Sequence, residues 1–320
     1  MQVNIFIQNS PDAVFAPVIT DSVTWETKRS GSPGKLTFSV ISDDILKAEE
    51  GNAVRLDVDG APVFFGYLFE RSWGKDGIIK AVAYDQLRYL KNKDSYNYTD
   101  KNASDVIRMI AADFNLQLGE IVETSFHIPF RNKKDNALFD IILDALELTM
   151  IHDKKIYVLY DDVGKLTLKD TETMKVGILI DQETAEDYSY KASIDGDTYN
   201  QIKVYYDNDE TKKREIFMAK HTENINKWGI LQKYESIDKG ANGQEIAESY
   251  LTVYNKPARS MSIKNAFGDV RVRAGCVLPI SLNVGDIMIY NNLLVEQVKH
   301  TFKEGVHWMD LTLKGANIFG

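Results

Sequence analysis

The five histidines of the chain are the first residues that could bind a metal ion. His300 and His307 lie in two runs of alternating apolar residues that predict a hairpin, so their rings can meet across it. A zinc site needs three or four ligands, and the sequence offers no third ligand beside this pair. We therefore predict a cross-strand histidine pair packed near Trp308 and no zinc site.

Clustered carboxylates at two predicted turns could bind calcium. Asp207, Asp209 and Glu210 lie at the tip of a predicted hairpin, and Asp195 and Asp197 lie in a second turn. Calcium takes six or more oxygen ligands, and the hairpin tip lacks the glycine and the closing glutamate of an EF-hand loop. Solvated turns explain both clusters, so neither a metal nor another cofactor is predicted.

Paired carboxylates could also hydrolyse a glycosidic bond. That chemistry requires two carboxyl groups about 5 to 10 Å apart, one of them with a raised pKa. Asp161 and Asp162 are adjacent at a turn and are predicted to be solvated. The chain contains neither a G-x-S-x-G nor an H-E-x-x-H motif. No catalytic residue is predicted, and a hydrolase acting on peptidoglycan is kept as an alternative.

Tyrosines that are predicted to be exposed leave a second alternative open. Tyr96, Tyr98, Tyr188 and Tyr190 lie in polar surroundings. Exposed aromatic rings can stack on sugars, but tyrosine is also enriched where subunits meet. A module that binds cell-wall glycans is therefore an alternative to a protein whose tyrosines pack at subunit seams.

Composition narrows the class of protein. Of 320 residues, 44% are hydrophobic and 27% are charged, which is typical of a folded chain with two or three domains. The net charge of −9 argues against a nucleic acid or an anionic membrane as the main partner. Cys276 is the only cysteine, so no internal disulfide can form. Since neither a signal peptide nor a membrane-spanning apolar run is found, we expect a soluble protein made in the cytoplasm.

Residues 1–95 predict an antiparallel β-barrel. Val54, Leu56 and Val58 alternate with other residues as in a strand with one buried face, and Asp59-Gly60 is typical of a hairpin turn. About six such strands are enough for a small barrel. Asp85 is expected to cap a short helical turn that follows the last strand.

Residues 96–190 predict an α+β domain. A polar linker is expected from Lys93 to Lys101, and Asn102 is expected to cap a helix. Asp135 is expected to open a second helix that ends at Ile151. Strands are predicted at 155–160 and 165–169.

Residues 191–320 predict a second antiparallel barrel with an inserted helix near 242–256. Its predicted strands are 198–206, 213–219, 259–266, 276–283, 287–290, 293–302 and 306–314, with a turn at Asn291-Asn292. The predicted fold is therefore mainly β with an α+β insert: two antiparallel β-barrels and a helix-containing middle domain.

The closing strands also resemble the first domain in their order of strands and turns. The strand after Gly51 is matched to the strand after Gly285, and the hairpins that follow them are matched in turn. The pattern indicates an internal repeat, with a chance likeness of two β-meanders as the alternative. A repeated barrel would let a threefold ring present six similar units to a hexameric tube.

Two segments carry a resemblance to a known family. They are YDQLRYLKN at 84–92, preceded by a G-x-x-V-x-L-x-x-DG-x-x-x-FFG pattern, and HTFKEGVHWMDLTLKG at 300–315. The chain resembles the XkdQ/YqbQ-type baseplate hub proteins of PBSX-like prophages and contractile-tail bacteriocins. That family is related to the T-even phage baseplate hub and to the late control protein D of P2-like phages. The matching positions, for which a structural role is expected, are Tyr84, Asp85, Gln86, Leu87, Tyr89, Leu90, His307, Met309 and Asp310.

The resemblance implies a structural protein and not an enzyme. Its two barrels would be tube-protein-like, and three copies would form a ring that joins the hexameric tail tube to the spike. The implied partners are two further copies, the tail tube protein, the spike protein, the tape-measure protein and other baseplate proteins. Neither a specific nucleic acid nor insertion into a membrane is implied. The implied location is a virion or tail-like particle that is assembled in the bacterial cytoplasm.

Overall fold

A computed structural model describes residues 1–10, 13–42, 46, 48–208, 210–237, 239–284 and 287–315. It confirms that the chain is mainly β with an α+β insert. The first elements are β1 (Val3–Ser10), β2 (Ala13–Phe15), β3 (Val23–Lys28), β4 (Lys35–Ile41), β5 (Ala53–Val58), β6 (Ala61–Trp73), β7 (Ile78–Tyr84) and a 3-10 helix (Gln86–Lys91). Alternate side chains of these strands, including Ile5, Leu36 and Phe38, share one hydrophobic core. We call β1–β7 and this core the first β unit.

The middle of the chain packs helices on two small sheets. Its elements are β8 (Lys93–Lys101), α1 (Ala103–Asp113), β9 (Leu118–Ile121), β10 (Ile128–Ala137), α2 (Leu138–Asp153), β11 (Tyr157–Asp161), β12 (Leu166–Asp170) and a 3-10 turn (Thr171–Thr173). The Asn102 side chain accepts a hydrogen bond from the amide of Asp105 and caps α1, as predicted. Both helices and the 3-10 helix contribute to one core, the middle core.

Two local predictions in this part are wrong. The sequence predicts a linker over 93–101, whereas these residues form β8, which pairs antiparallel with β10. Tyr96 and Tyr98 alternate with polar residues there, and both are buried in the middle core. The sequence also predicts that Asp135 opens a helix, but Asp135 lies in β10 with a φ of 56°, and α2 begins at Leu138.

The last part of the chain forms a second β unit with an insert. Its elements are β13 (Ile180–Asp181), β14 (Asp187–Ser193), β15 (Gln201–Asn208), β16 (Lys213–Lys220), α3 (Thr222–Trp228), β17 (Gln232–Ser236), α4 (Gly243–Tyr254), β18 (Ala258–Phe267), β19 (Val277–Val284), β20 (Ile287–Lys303) and β21 (Val306–Gly315). Strands β13, β14 and β18–β21 line one core, and together they form the second β unit.

Strands β15–β17 and helix α4 lie outside that unit. The strands form a separate three-stranded sheet, and its small core around Ile202 and Val204 also includes Ile151 of α2. The hairpin predicted at 198–219 therefore belongs to an insert that is larger than the single predicted helix. The division into domains 1–95, 96–190 and 191–320 stays a prediction.

Strand β20 joins the two β units. It is 17 residues long, and its first half pairs with β19. Its second half pairs with β21 on one side and with β3 on the other. The turn predicted at Asn291-Asn292 is wrong, because both residues lie inside β20 opposite Ile280 and Pro279. The main sheet thus runs without a break from one unit into the other.

The two β units repeat the same strand order. Neighbouring strands are β3-β4-β7-β6-β5 in the first unit and β14-β18-β21-β20-β19 in the second, and all of these pairs are antiparallel. The ladders of β6 with β7 and of β20 with β21 each contain a bulge, which follows Leu68 in the first and Val295 in the second. Order, direction and register therefore support a duplicated unit.

Two glycines fix the register of this repeat. Gly51 and Gly275 have φ angles of 91° and 96°, in the region that favours glycine. The amide of Gly51 donates to the carbonyl of Leu68, and the amide of Gly275 donates to the carbonyl of Val295. Gly51 is thus equivalent to Gly275. The glycine predicted as its match, Gly285, lies outside the described residues.

Candidate functional site: the junction of the three parts

Asp85 lies where the first β unit meets the middle core. Its carboxylate accepts hydrogen bonds from the amide of Gly34, at 2.8 Å, and from the amide of Leu87, at 3.1 Å. The second bond caps the 3-10 helix, as predicted. A β-carbon on Gly34 would collide with the Asp85 carboxylate, so glycine permits the loop between β3 and β4 to come this close.

Gln86 binds the backbone of the middle part. Its side-chain amide donates to the carbonyls of Gln117 and Gly164, and its oxygen accepts from the amide of Gln117. The next residues bury apolar side chains, since Leu87 and Leu90 both belong to the middle core. Residues 86–90 therefore attach the end of the first β unit to the middle part of the chain. Gln86 provides the polar contacts, and Leu87 and Leu90 provide the apolar ones.

Asp161 and Arg273 extend this junction to the second β unit. Asp161 is buried, and its carboxylate accepts from the amide of Gly164 at 2.6 Å. The Arg273 guanidinium donates to the Asp161 carbonyl and lies 4.0 Å from the ring centre of Tyr160. The prediction that Asp161 is solvated is wrong because Arg273 and its neighbours cover it, whereas Asp162 is exposed as predicted.

Burial controls the protonation of the two aspartates. Loss of solvent raises the pKa of Asp85 well above its usual range, and the nearby Asp161 raises it further. Burial likewise raises the pKa of Asp161. A glycosidase also needs a carboxyl with a raised pKa, but it must present that group to substrate. Both carboxyl groups are buried, and neither lines the small cavity beside Gln86, so the geometry favours a structural role.

The predicted histidine pair lies between the two β units. The Nδ1 atom of His300 is 2.8 Å from Nε2 of His307, and Nε2 of His300 donates to the Val272 carbonyl at 2.9 Å. The His300 ring also stacks on the ring of Trp25 in β3, with 4.8 Å between the ring centres. Burial lowers the pKa of His300 to about 3 and that of His307 to about 4, so both are neutral. The described residues contain no group of three potential metal ligands.

The remaining motif residues lie around the same strands. Tyr84, at the end of β7, is half-buried against Phe69, and Tyr89 contacts the same ring. Met309 is buried in the core of the second β unit. The Asp310 carboxylate accepts from the amide of Asn265 at 3.1 Å. These positions are compatible with the structural role expected for the motif, which stays a prediction.

A groove of about 980 Å³ lies between helices α2 and α4 and the second β unit. Tyr190 and Tyr254 line it together with Glu147, whose pKa is raised by burial and whose carboxylate accepts from the Tyr254 hydroxyl at 2.9 Å. Its tyrosine rings and carboxyl group make this groove the candidate site for the glycan-binding and hydrolase alternatives. Tyr96 and Tyr98 are buried elsewhere, so the prediction that they are exposed is wrong.

Comparison with solved structures shows that the fold is that of phage tail proteins. The 43 kDa tail protein of prophage MuSo2 from Shewanella oneidensis matches with a TM-score of 0.72 over 99% of this chain and 100% of that chain, at 8% identity. The c3393 protein of E. coli, a component of the type VI secretion system with structural similarity to T4 tail proteins gp27 and gp5, matches with a TM-score of 0.57 over 97% of this chain and 75% of that chain, at 7% identity.

The sequence identifies the particular family within that class. The YQBQ-like family model matches residues 23–314, and the chain belongs to this family. The phage-like element PBSX protein XkdQ of Bacillus subtilis is 28% identical over 316 residues, which cover 96% of this chain and 95% of XkdQ. The resemblance predicted from the two motifs is therefore confirmed. Within the described part of the chain, the helices are too short or too polar to cross a membrane.

Proposed function

We propose that the protein is the central hub of a contractile phage-tail-like baseplate, in which three copies form a ring that joins the hexameric tail tube to the spike. The repeated β unit carries this proposal. One chain holds two units with the same strand order, joined through β3 and β20. Three chains therefore supply six similar units, which can match a sixfold tube.

Family and fold support the coarser part of the proposal, a structural protein of a prophage-type tail. XkdQ is named as a protein of a phage-like element, and the MuSo2 protein is a tail protein. The tail tube, spike and tape-measure proteins and other baseplate proteins are the partners that such a hub would contact, in a virion or tail-like particle. The buried setting of Asp85 and Asp161 supports a role without catalysis.

Electron cryomicroscopy of purified tails that contain the full-length chain would test the hub directly. We expect three copies in a closed ring on the tail axis, between the last tube ring and the spike. A chain that lies at the periphery of the baseplate, or that is present in one or six copies, would contradict the proposal. The control is a tail preparation made without the chain. In that preparation we expect no connection between the tail tube and the spike.

The groove around Glu147 is the observation that keeps the alternative function open. A peptidoglycan hydrolase working there would release soluble fragments from cell walls, and Glu147→Gln would abolish that release without changing the melting temperature. A glycan-binding module would instead retain the chain on insoluble cell walls. We expect neither release nor retention by the wild-type protein.

A further inference from the structure

Among the strand edges of the described residues that have no second partner, two lie in opposite β units. In the first β unit, the end of β6, from Glu70 to Trp73, pairs with β7 and has no second partner strand. In the second β unit, β14 pairs with β18 and has no second partner strand. Unpaired edges of this kind are sites at which another chain can add to a sheet.

The repeat shows what these edges are equivalent to. The end of β6 corresponds to the part of β20 that pairs with β3, because both follow the bulge by the same number of residues. Strand β14 corresponds to β3, because β14 pairs with β18 in the second unit as β3 pairs with β4 in the first. The unpaired edges of β6 and β14 are therefore equivalent, within the repeat, to the edges of β20 and β3 that pair inside the chain.

We infer that the end of β6 in one copy pairs antiparallel with β14 in a second copy, in the register of the β3–β20 ladder. In that ladder Gln297 faces Lys28 and His300 faces Trp25. The equivalent register places Glu70 opposite Ser193 of the second copy, Arg71 opposite Ala192, Ser72 opposite Lys191, and Trp73 opposite Tyr190. This inference rests on the proposed function, because it assigns the contact by which the ring would close.

Aromatic residues support this register. Trp73 takes the place of His300, and Tyr190 takes the place of Trp25, the two rings that stack inside the chain. Trp73 is 58% exposed, which is unusual for a tryptophan at the end of a strand. Pairing with the second copy would cover its ring with that of Tyr190. Aromatic pairs across antiparallel strands stabilise such ladders.

Charge supports the same register. In the internal ladder, the Gln297 side chain donates to the Glu26 carboxylate at 2.9 Å, a diagonal contact across the two strands. Glu70 takes the place of Gln297, and Lys191 takes the place of Glu26. The diagonal contact between two copies would therefore join a carboxylate to an ammonium group. Both side chains are exposed in the single chain, so the pair has no competing buried partner to displace.

The contact joins two different edges, so it can repeat from one copy to the next. A head-to-tail interface closes when the rotation between neighbours divides a full turn. Internal β3–β20 ladders would alternate with β6–β14 ladders around this ring. In a trimer each kind would occur three times, so that all six units would meet neighbours in the same way.

Disulfide trapping in assembled tails tests the register. Ser72→Cys combined with Lys191→Cys places two thiols directly opposite, where antiparallel partners have Cα atoms about 4.5 to 5.5 Å apart, within disulfide reach. Both positions are exposed in the single chain, and the native Cys276 is buried. Ser72→Cys with Ala192→Cys is the matched control, because a shift of one residue moves the second thiol to the other face of the sheet.

Under mild oxidation, the in-register pair should give a covalent trimer on a denaturing gel, and the off-register pair should give monomer. Monomer from both pairs, in tails whose baseplate holds three copies in a ring, would overturn the inferred contact and leave the proposed hub intact. Tails that lack the chain on their axis would overturn both. Trp73→Ala should reduce the yield of covalent trimer, while the exposed Val14→Ala should not change it.

Discussion

The neutral histidine pair is the residue-scale feature that should make stability depend on pH. His300 and His307 have pKa values of about 3 and about 4 in the folded chain, because burial disfavours their charged forms. The unfolded chain takes up protons at the usual histidine pKa of about 6.5, so it binds more protons than the folded chain between about pH 6.5 and pH 4. We expect the free energy of unfolding to fall with decreasing pH in this window, by up to ~1.4 kcal/mol per pH unit for each histidine.

Urea unfolding at a series of pH values checks this expectation. His307→Gln keeps a side-chain donor for His300 but removes one titrating group, so its dependence on pH should be shallower than that of the wild type. Val14 is exposed and has no titrating group, so Val14→Ala serves as the control and should leave the slope unchanged. If His307→Gln kept the wild-type slope, the His307 ring would not contribute to the dependence of the free energy of unfolding on pH.

Gly51 and Gly275 offer a second test, because they are equivalent residues in different surroundings. Both have positive φ angles, so alanine at either position should cost about 1 to 2 kcal/mol of backbone strain. A β-carbon at Gly51 meets nothing within 4 Å, whereas one at Gly275 would lie 2.8 Å from Val158. Overpacking typically adds about 1 to 3 kcal/mol, so Gly275→Ala should lower the free energy of unfolding more than Gly51→Ala. Equal losses in urea unfolding would contradict the close approach of Gly275 to Val158.

At the scale of elements, the 3-10 helix attaches the first β unit to the middle core through Leu90. This side chain is fully buried among α1 and α2 residues. Leu90→Ala should therefore reduce the free energy of unfolding by about 2 to 5 kcal/mol. Tyr84→Ala, at a half-buried position one element earlier, should cost less. Calorimetry can compare the two variants. A larger loss of stability in Tyr84→Ala than in Leu90→Ala would contradict the role of Leu90 in attaching the first β unit to the middle core.

Alternation of apolar residues was sufficient to predict most strands, but not the polar ones. Strand β8 looks like a linker because lysine, aspartate and asparagine separate its buried Tyr96 and Tyr98. The spacing of the two tyrosines was the available signal, since every second residue of a strand faces the same side. At Asn291-Asn292 the sequence wrongly predicted a turn, because asparagine pairs are typical of turns. In the structure, both residues pair with β19 and the strand stays extended.

The junction around Asp85 could be predicted only in its local part. The cap of the 3-10 helix follows from an aspartate placed directly before it. The burial of Asp161 depends on Arg273, which is 112 residues away in sequence. No local pattern encodes such a contact, so the sequence alone could not show that Asp161 is shielded from solvent.

At the scale of the whole molecule, assembly should change the protection of particular strands. The amide hydrogens of β14 that point away from β18, and those at the end of β6 that point away from β7, should exchange fast in the free chain. They should exchange slowly in assembled tails, since pairing between copies would protect them. Strand β3 is the control, because it is already paired on both sides within the chain. Mass spectrometry of peptides from both samples measures the difference. Unchanged exchange of β14 on assembly would contradict the contact between copies.

The unbroken path of β20 has a mechanical consequence. Relative motion between domains usually occurs at a few loop residues that absorb changes in φ and ψ. Strand β20 passes from one β unit to the other with no such loop between its halves. A load on either unit during tail contraction would therefore reach the other unit through the main chain of β20. The two units would rotate together as one rigid body.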